Sequence, residues 1–288
     1  MSASLAKTAL LDDLRRRIER LERPLAQRNT ARPVVPLGVA EIDRYLPGGG
    51  LPTAALHEIA PVRHEGPKAR IALNTPAALG FAAGLLGRAA ASGPVLWCRD
   101  MGRAGNRLHA LGLENFGLNS NNLIVVNCLK SRQLLWAMEE GLRSGAVTAV
   151  LGEIADLRAV AARRLQLAAE AGGGLALLVG TGADDALPAA TRWRIATAVS
   201  PDPQGPWPGP ARWAVTLHRC RHAPAGTEHS GPRQWLLEWR DDDNEQLHEG
   251  ERPAHGFRLA AALRDGSSRP ARSGRRGAHV SLPAAATG

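Results

Sequence analysis

The chain is short of cysteine, of aromatic residues and of lysine. Its three cysteines, Cys98, Cys128 and Cys220, are widely separated and form no C-x-x-C pair. That excludes a zinc-ribbon spacing and a disulfide-stapled module, and it suits a reducing compartment. Aromatics make up only 4% of the residues, so the core has to be built from Ala, Leu and Val with tryptophan at a few points. No apolar run approaches the ~18 residues of a membrane-crossing helix. The opening residues are interrupted by Asp12, Asp13 and a series of arginines, which is unlike the apolar stretch of a signal peptide. A soluble cytoplasmic protein is the expectation.

Alanine, glycine and arginine are what the chain has in plenty. With 44% apolar residues over 288 positions, it supports one large α/β domain with extensions or two small domains. Basic residues outnumber acidic ones by nine, giving a net charge of +9, and almost all the cations are Arg. Such a surplus favours phosphate-rich or acidic partners, nucleic acid first. The same bias arises from a GC-rich genome, so charge alone does not decide between them.

Residues 5–22 carry an amphipathic helix pattern. Leu11, Leu14, Ile18 and Leu21 recur at helical spacing among arginines, and Pro24 ends the stripe. It is too short for a self-sufficient coiled coil, which leaves docking on its own domain or on a neighbouring subunit. A polar linker spans residues 27–36. Beyond it, short apolar runs at 54–59, 94–98, 123–127, 147–151 and 175–180 read as strands. Ala/Leu-rich stretches at 76–91, 102–111, 131–144 and 157–171 read as helices between them. Continuous apolar strands alternating with helices imply a mainly parallel sheet covered on both faces.

After Gly180 the texture changes. Residues 195–200 and 213–221 read as strands around a Pro/Gly-rich turn, and 234–240 alternates Trp235, Leu237 and Trp239 with other residues. A period of two predicts an antiparallel edge ribbon with one buried face. The acidic stretch 241–251 reads as a surface loop and 257–263 as a last ordered segment. The Arg/Ser/Gly/Pro-rich residues 264–288 read as a disordered tail.

The chemistry-bearing candidate is the stretch that follows the first of these strands. A phosphate-binding loop needs G-x-x-x-x-G-K followed by Ser or Thr: glycines to wrap the phosphates, a lysine for their charge and a hydroxyl for Mg²⁺. The corresponding residues run Pro61-Val62-Arg63-His64-Glu65-Gly66-Pro67-Lys68-Ala69. Pro61 replaces the first glycine, Pro67 the lysine and Lys68 the hydroxyl. Proline also removes a backbone donor where donors are wanted. The loop has the place of a nucleotide site without its residues, and no cofactor is expected.

The segment from Pro36 to Pro52, with Gly48-Gly49-Gly50-Leu51-Pro52, followed by Leu56-His57-Glu58-Ile59, resembles the entry to a RecA-type ATPase core. Arg192 to Ile195, Ala198-Val199 and Arg212 to Arg221 are similar to that core's late strands, so the resemblance covers roughly residues 37–222. Taken in order, His57 to Ile59, the degraded loop, Pro94 to Trp97, Ser131 to Trp136, Gly152-Glu153 and Trp235 to Trp239 resemble ImuA-type proteins, RecA-like accessory components of bacterial mutagenesis cassettes. The resemblance implies a RecA-like sheet, an N-terminal helix and a disordered basic tail. It also implies a role in damage-induced, error-prone DNA synthesis beside an ImuB-type Y-family polymerase-like protein and, indirectly, a replicative-type error-prone polymerase. RecA is a further implied partner.

Measured against a RecA-type ATPase, three parts of the mechanism are altered together. The Walker B strand ends in Gly152 and Glu153 rather than Asp, and Asp100 is the carboxylate near the end of the second core strand. Gly180-Thr181 stands where a nucleotide-sensing Gln is placed. Phosphoryl transfer rests on positioning and charge stabilisation, so this pattern implies a non-catalytic protein. A DNA-dependent ATPase using Lys68, Asp100 and Glu153 is the competing reading, and a SulA-like cell-division inhibitor is the third. Glu153 itself is either a displaced metal ligand or, more commonly at such a place, a helix-capping group.

Other residues carry paired readings. His218, Cys220 and His222 would share one strand face, an awkward arrangement for zinc. Arg219 and Arg221, on the other face, are candidates for a DNA- or partner-binding surface. Trp193 and Trp213 read as core, and Trp207 as an exposed contact. Arg269, Arg272, Arg275 and Arg276 either bind DNA or a partner, or merely solubilise the tail. The expected organisation is an N-terminal helix and linker (1–36), the RecA-like core (37–222), a C-terminal strand extension that meets a partner (223–263) and the tail (264–288), with homo-oligomer formation open.

Overall fold

The computed structural model describes residues 33–62, 69–102, 108–154, 157–180, 188–200, 209–224, 231–240 and 256–263. The expected N-terminal helix and basic tail therefore lie outside the described residues. The description begins with a small cap. Strand β1 (Val34–Val35) pairs antiparallel with β2 (Leu51–Pro52), and helix α1 (Ala40–Asp43) sits between them. The Asp43 carboxylate accepts the amides of Leu37 at 2.8 Å and Gly38 at 2.9 Å. Gly38 has φ +79°, which a side chain would resist. The motif that leads into the core therefore does local structural work: Gly38 makes the turn and Asp43 pins it.

One nine-stranded sheet carries the rest of the described chain. Strands β3 (Ala55–Pro61), β4 (Val95–Asp100), β5 (Leu123–Cys128), β6 (Ala149–Glu153) and β7 (Leu175–Val179) alternate with helices α2 (Ala69–Ala90), α3 (Ala110–Glu114), α4 (Ser131–Ser144) and α5 (Ala159–Gly172). Four more strands follow: β8 (Thr191–Thr197), β9 (Arg212–Cys220), β10 (Arg233–Arg240) and β11 (Gly256–Leu263). The spatial order is β11-β10-β9-β8-β3-β7-β6-β4-β5. Pairing is parallel from β8 across to β5 and antiparallel from β8 out to β11.

That order explains where the helices go. The step from β3 to β4 runs one way across the sheet, and the steps from β5 to β6 and β6 to β7 run back. Right-handed crossovers then require α2 on one face and α4 and α5 on the other. The two apolar clusters divide in this way. Phe81, Leu85 and Leu86 of α2 pack with Trp97, Leu151, Leu177 and Trp193. Leu134 and Met138 of α4 and Leu165 of α5 pack with Leu96, Val150 and Leu178.

The expected α/β architecture, with a mainly parallel sheet and antiparallel C-terminal strands, is what forms, with four corrections. Helix α2 starts at Ala69 and not at 76, so Pro76 lies inside it. Burial of Ala77, Ala78, Phe81 and Leu85 outweighs the one backbone bond that a proline forfeits. Of the helix expected over 102–111, residues 103–107 lie outside the described residues; Met101 and Gly102 form a turn, with the Gly102 amide on Asp100 Oδ1 at 3.0 Å, and helix α3 runs over Ala110–Glu114. Strand β10 is not an edge: β11 pairs along its outer side and takes that position. Finally, β3 runs on through Pro61, so Pro61 belongs to the ladder and not to the loop.

Candidate functional site

In a parallel α/β sheet the ligand crest is the carboxyl end of the strands. Here the pairing continues to the last described residues of the strands. Pro61 is in register with Ile195 of β8, and the Val62 amide donates to Ile195 O at 2.8 Å. The Gly180 amide donates to Ile59 O at 3.1 Å, and Ile154 N to Val179 O at 2.9 Å. A phosphate loop needs free amides aimed at an anion; those of Val62, Gly180 and Ile154 are spent on carbonyls, and residues 63–68, which would form the loop, lie outside the described residues. Gly66, Pro67 and Lys68 lie outside the described residues, and Ala69 opens α2.

The Gly152-Glu153 end of β6, expected from the resemblance to stand at a Walker B position, is set by packing. Gly152 faces α4, and a Cβ there would run into Met138 Sδ and Cε, so the helix packs directly against the strand at this glycine. Glu153, one residue on, turns to the opposite face. Trp97 Nε1 donates to its Oε1 at 2.7 Å, and Arg99 Nε donates to the same oxygen at 3.2 Å. Strands β4 and β6 are neighbours, which is why these side chains meet. Glu153 is therefore no helix cap: α5 starts at Ala159 and its N-cap is Arg158. Asp100 is engaged in its own turn through Gly102.

Beside β2 and β8 lies a second polar feature that the sequence did not reveal. His57 is fully buried, with Nδ1 2.8 Å from Thr191 Oγ1 and Nε2 2.9 Å from Pro52 O. Trp193 Nε1 donates to Thr191 Oγ1 at 2.7 Å. Since a carbonyl only accepts, Nε2 carries the proton and Nδ1 accepts from the Thr191 hydroxyl. Burial holds the imidazole neutral and pulls its pKa down to about 4, against the smaller opposing effect of the Pro52 carbonyl. This chain ties β2, β3 and β8 together inside the core.

On the far face of the sheet, past the edge of α5, charged side chains gather. Glu58 of β3 is buried against Arg192 Nε at 3.1 Å and lies 3.9 Å from Arg194 Nη1. Arg219, exposed, is the cross-strand partner of Arg192. Arg221, half-buried just beyond β9, donates its amide to Ala190 O at 2.7 Å. The structure thus places both predicted arginines in one corner. The expected face-sharing of His218, Cys220 and His222 does not survive: a bulge at His218 shifts the register, β9 stops at Cys220, and His222 takes a left-handed φ of 59°. Among the described residues no cluster of His, Cys, Asp and Glu suits a metal ion. Trp193 and Trp213 are buried in the core. Leu11, Leu14, Ile18, Leu21, Trp207, Arg269, Arg272, Arg275 and Arg276 lie outside the described residues.

Against known proteins, the chain is 32% identical over 265 residues to Protein ImuA of Caulobacter vibrioides strain NA1000 / CB15N, covering 86% of this chain and 97% of the relative. The match to Protein ImuA of strain ATCC 19089 of the same species has the same extent. The chain belongs to the ImuA family. No family model matches it. Among the described residues no helix of this ImuA-family chain is long and apolar enough to cross a membrane.

Proposed function

We propose that this protein is a non-catalytic accessory factor of error-prone translesion DNA synthesis, acting in the cytoplasm in the response to DNA damage. Membership of the ImuA family supports the pathway. The observation that carries the lack of catalysis is the packing at the Gly152-Glu153 end of β6: Met138 fills the space at Gly152, and the Glu153 carboxylate is engaged by Trp97 and Arg99. A carboxylate that accepts two side-chain donors offers little to a hydrated metal, and phosphoryl transfer without an ordered metal loses its main charge stabilisation. On this reading the chain kept a nucleotide-motor architecture as a scaffold. It binds an ImuB-type polymerase-like partner and RecA, and so governs access of an error-prone polymerase to damaged template.

Calorimetry with ATP and with ADP, repeated with single-stranded DNA and followed by a turnover assay, tests the catalytic half. The expected result is no turnover. ATP turnover that Lys68→Ala abolishes would instead put a DNA-dependent ATPase first. Co-purification with an ImuB-type partner and with RecA tests the other half, and failure to bind either would sink the scaffold reading.

A further inference from the structure

The outer face of β8–β11 is built unlike the rest of the sheet. Helices α4 and α5 pack over β3, β4, β6 and β7, while Ala196, Ala214, Thr216 and Leu236 on the same side stay half-exposed, and Gln234 and Arg258 are exposed. Where the helical cover ends, arginines from three elements gather: Arg163 of α5, Arg192 and Arg194 of β8, and Arg219 and Arg221 at the end of β9. Glu58 is the carboxylate set among them, paired with Arg192 and near Arg194. Among the described residues the corner sets one carboxylate, Glu58, among five guanidiniums. Arg221 registers the crowding: burial first, then Arg219, Arg192 and Arg163, hold its guanidinium below its ordinary pKa. Holding like charges together in this way is costly unless an anion joins them.

The geometry points to a phosphate-binding corner in which Arg163, Arg219 and Arg221, backed by the Glu58-anchored Arg192 and Arg194, hold the backbone of DNA. Arginine suits this task because its planar fork matches phosphate oxygens in pairs. The Glu58 pair fixes the floor of the corner, with Arg219 on β9, Arg221 in the turn just beyond it and Arg163 on α5. A peptide ligand would want side-chain pockets, whereas the adjoining face is lined by the small residues Ala196, Ala214 and Thr216.

The same face limits what is read. Trp193, Trp213, Trp235 and Trp239 all point into the core beneath α2, and among its described residues this face carries no aromatic on which a base could stack. These guanidiniums hold the backbone without sequence preference, so single and double strands are both accepted. This inference deepens the proposed accessory role by giving it a direct hold on DNA, but it stands on the sheet face and not on the partners.

The experiment is fluorescence anisotropy of the full chain with a labelled 30-mer oligonucleotide, single- and double-stranded, in two unrelated sequences, over a range of salt concentrations. The expected wild-type result is binding to all four that weakens steeply with salt. In R163A/R219A/R221A, affinity should fall at least roughly tenfold near 100 mM salt, and the log–log salt slope should shrink by about 2 to 3. R163A/R219A, which alters two exposed residues only, should give a smaller change in the same direction with an unchanged melting temperature.

Absence of wild-type binding would overturn the inference, as would wild-type affinity and slope in both variants, which would assign DNA binding to arginines elsewhere. A poly-glutamate peptide that binds the wild type but not the triple variant, with no oligonucleotide bound, would assign the corner to an acidic protein partner. Loss of ImuB-type or RecA binding with corner-dependent DNA binding intact would overturn the scaffold reading and leave this inference standing.

Discussion

The two halves of the sheet obey different rules. From β3 to β4 it is parallel and covered on both faces, and its strands are apolar almost without interruption. From β8 to β11 one face packs against the core through Trp193, Trp213, Trp235 and Trp239 while the other carries Arg194, Arg212, Glu238, Arg240 and Arg258. Parallel strands sandwiched between helices cannot afford charge, whereas an antiparallel ribbon with one open face alternates. The closed half therefore supplies most of the buried core, and the open half carries the charged surface. The seam between them, β3 against β8, has to accommodate charge within a core, and His57, Glu58, Thr191 and Arg192 meet there.

The sharpest way to break the contrast is to remove the large side chains of the covered face. Trp193 is fully buried, packs against Phe81 with ring centroids 5.9 Å apart and donates to Thr191. Trp193→Ala should cost about 3–5 kcal/mol. Gln234→Ala, on the open face of the same sheet, should stay within about 0.5 kcal/mol. Urea denaturation of the two variants checks the difference, and equal costs would mean that the two faces are not as unlike as their packing indicates.

The seam should come next. Arg192 has only 1% of its side chain exposed, and Glu58 only 4%. Glu58→Gln keeps the shape but removes the charge that faces the buried guanidinium. A cost of about 3 kcal/mol is expected, since breaking a buried pair from one side costs far more than the pair itself contributes. The double variant Glu58→Gln/Arg192→Met should recover part of the loss by removing the second charge as well. If the single variant melts with the wild type, the pair is not what holds the seam.

His57 gives the seam a pH signature. Its folded pKa is about 4 against an ordinary 6.5, so between these values the unfolded chain binds a proton that the folded chain does not. Stability from this group is complete above about pH 6.5 and is lost as the pH falls towards 4. The total is about 3 kcal/mol at ~1.4 kcal/mol per pKa step. In His57→Gln that share of the pH dependence should vanish. Urea midpoints measured from pH 7.5 to 4.5 check it, and parallel wild-type and variant profiles would show that His57 is not buried neutral.

Much of this layout was legible because it is local. Apolar runs gave the strands to within a few residues. Helix α4 was read end to end, because Gly145, left-handed at φ 65°, closes it where the apolar pattern stops. Helix α2 was misread at its start because proline is a good opening residue, and only tertiary burial shows that it can also lie inside. The contacts that define the site were not legible, since they depend on strand order. Nothing in the sequence says that β4 lies beside β6, so Trp97 and Arg99 could not be assigned to Glu153. Nor does it say that β8 lies beside β3, so the Glu58 partners were missed. The available signal was a charge inside an apolar strand: Glu58 in Leu56-His57-Glu58-Ile59 asks for a buried partner wherever it occurs.

The smallest effect separates charges at the seam from charges on the covering helices. Glu139 of α4 accepts from Arg143 Nη2 at 2.7 Å and also from Arg164 of α5, joining the two helices. The carboxylate is buried, but its cations are largely in water, with side chains 55% and 64% exposed. Solvent and salt screen such pairs, and the long arginines lose entropy in making them. Glu139→Gln should therefore cost about 1 kcal/mol or less, and the cost should shrink further in high salt, unlike that of Glu58→Gln. Thermal melts of both variants at low and high salt make the test. If Glu139→Gln proves as costly and as salt-insensitive as Glu58→Gln, helix-borne pairs matter as much as the buried seam, and the division of the molecule into a neutral closed half and a charged open half fails.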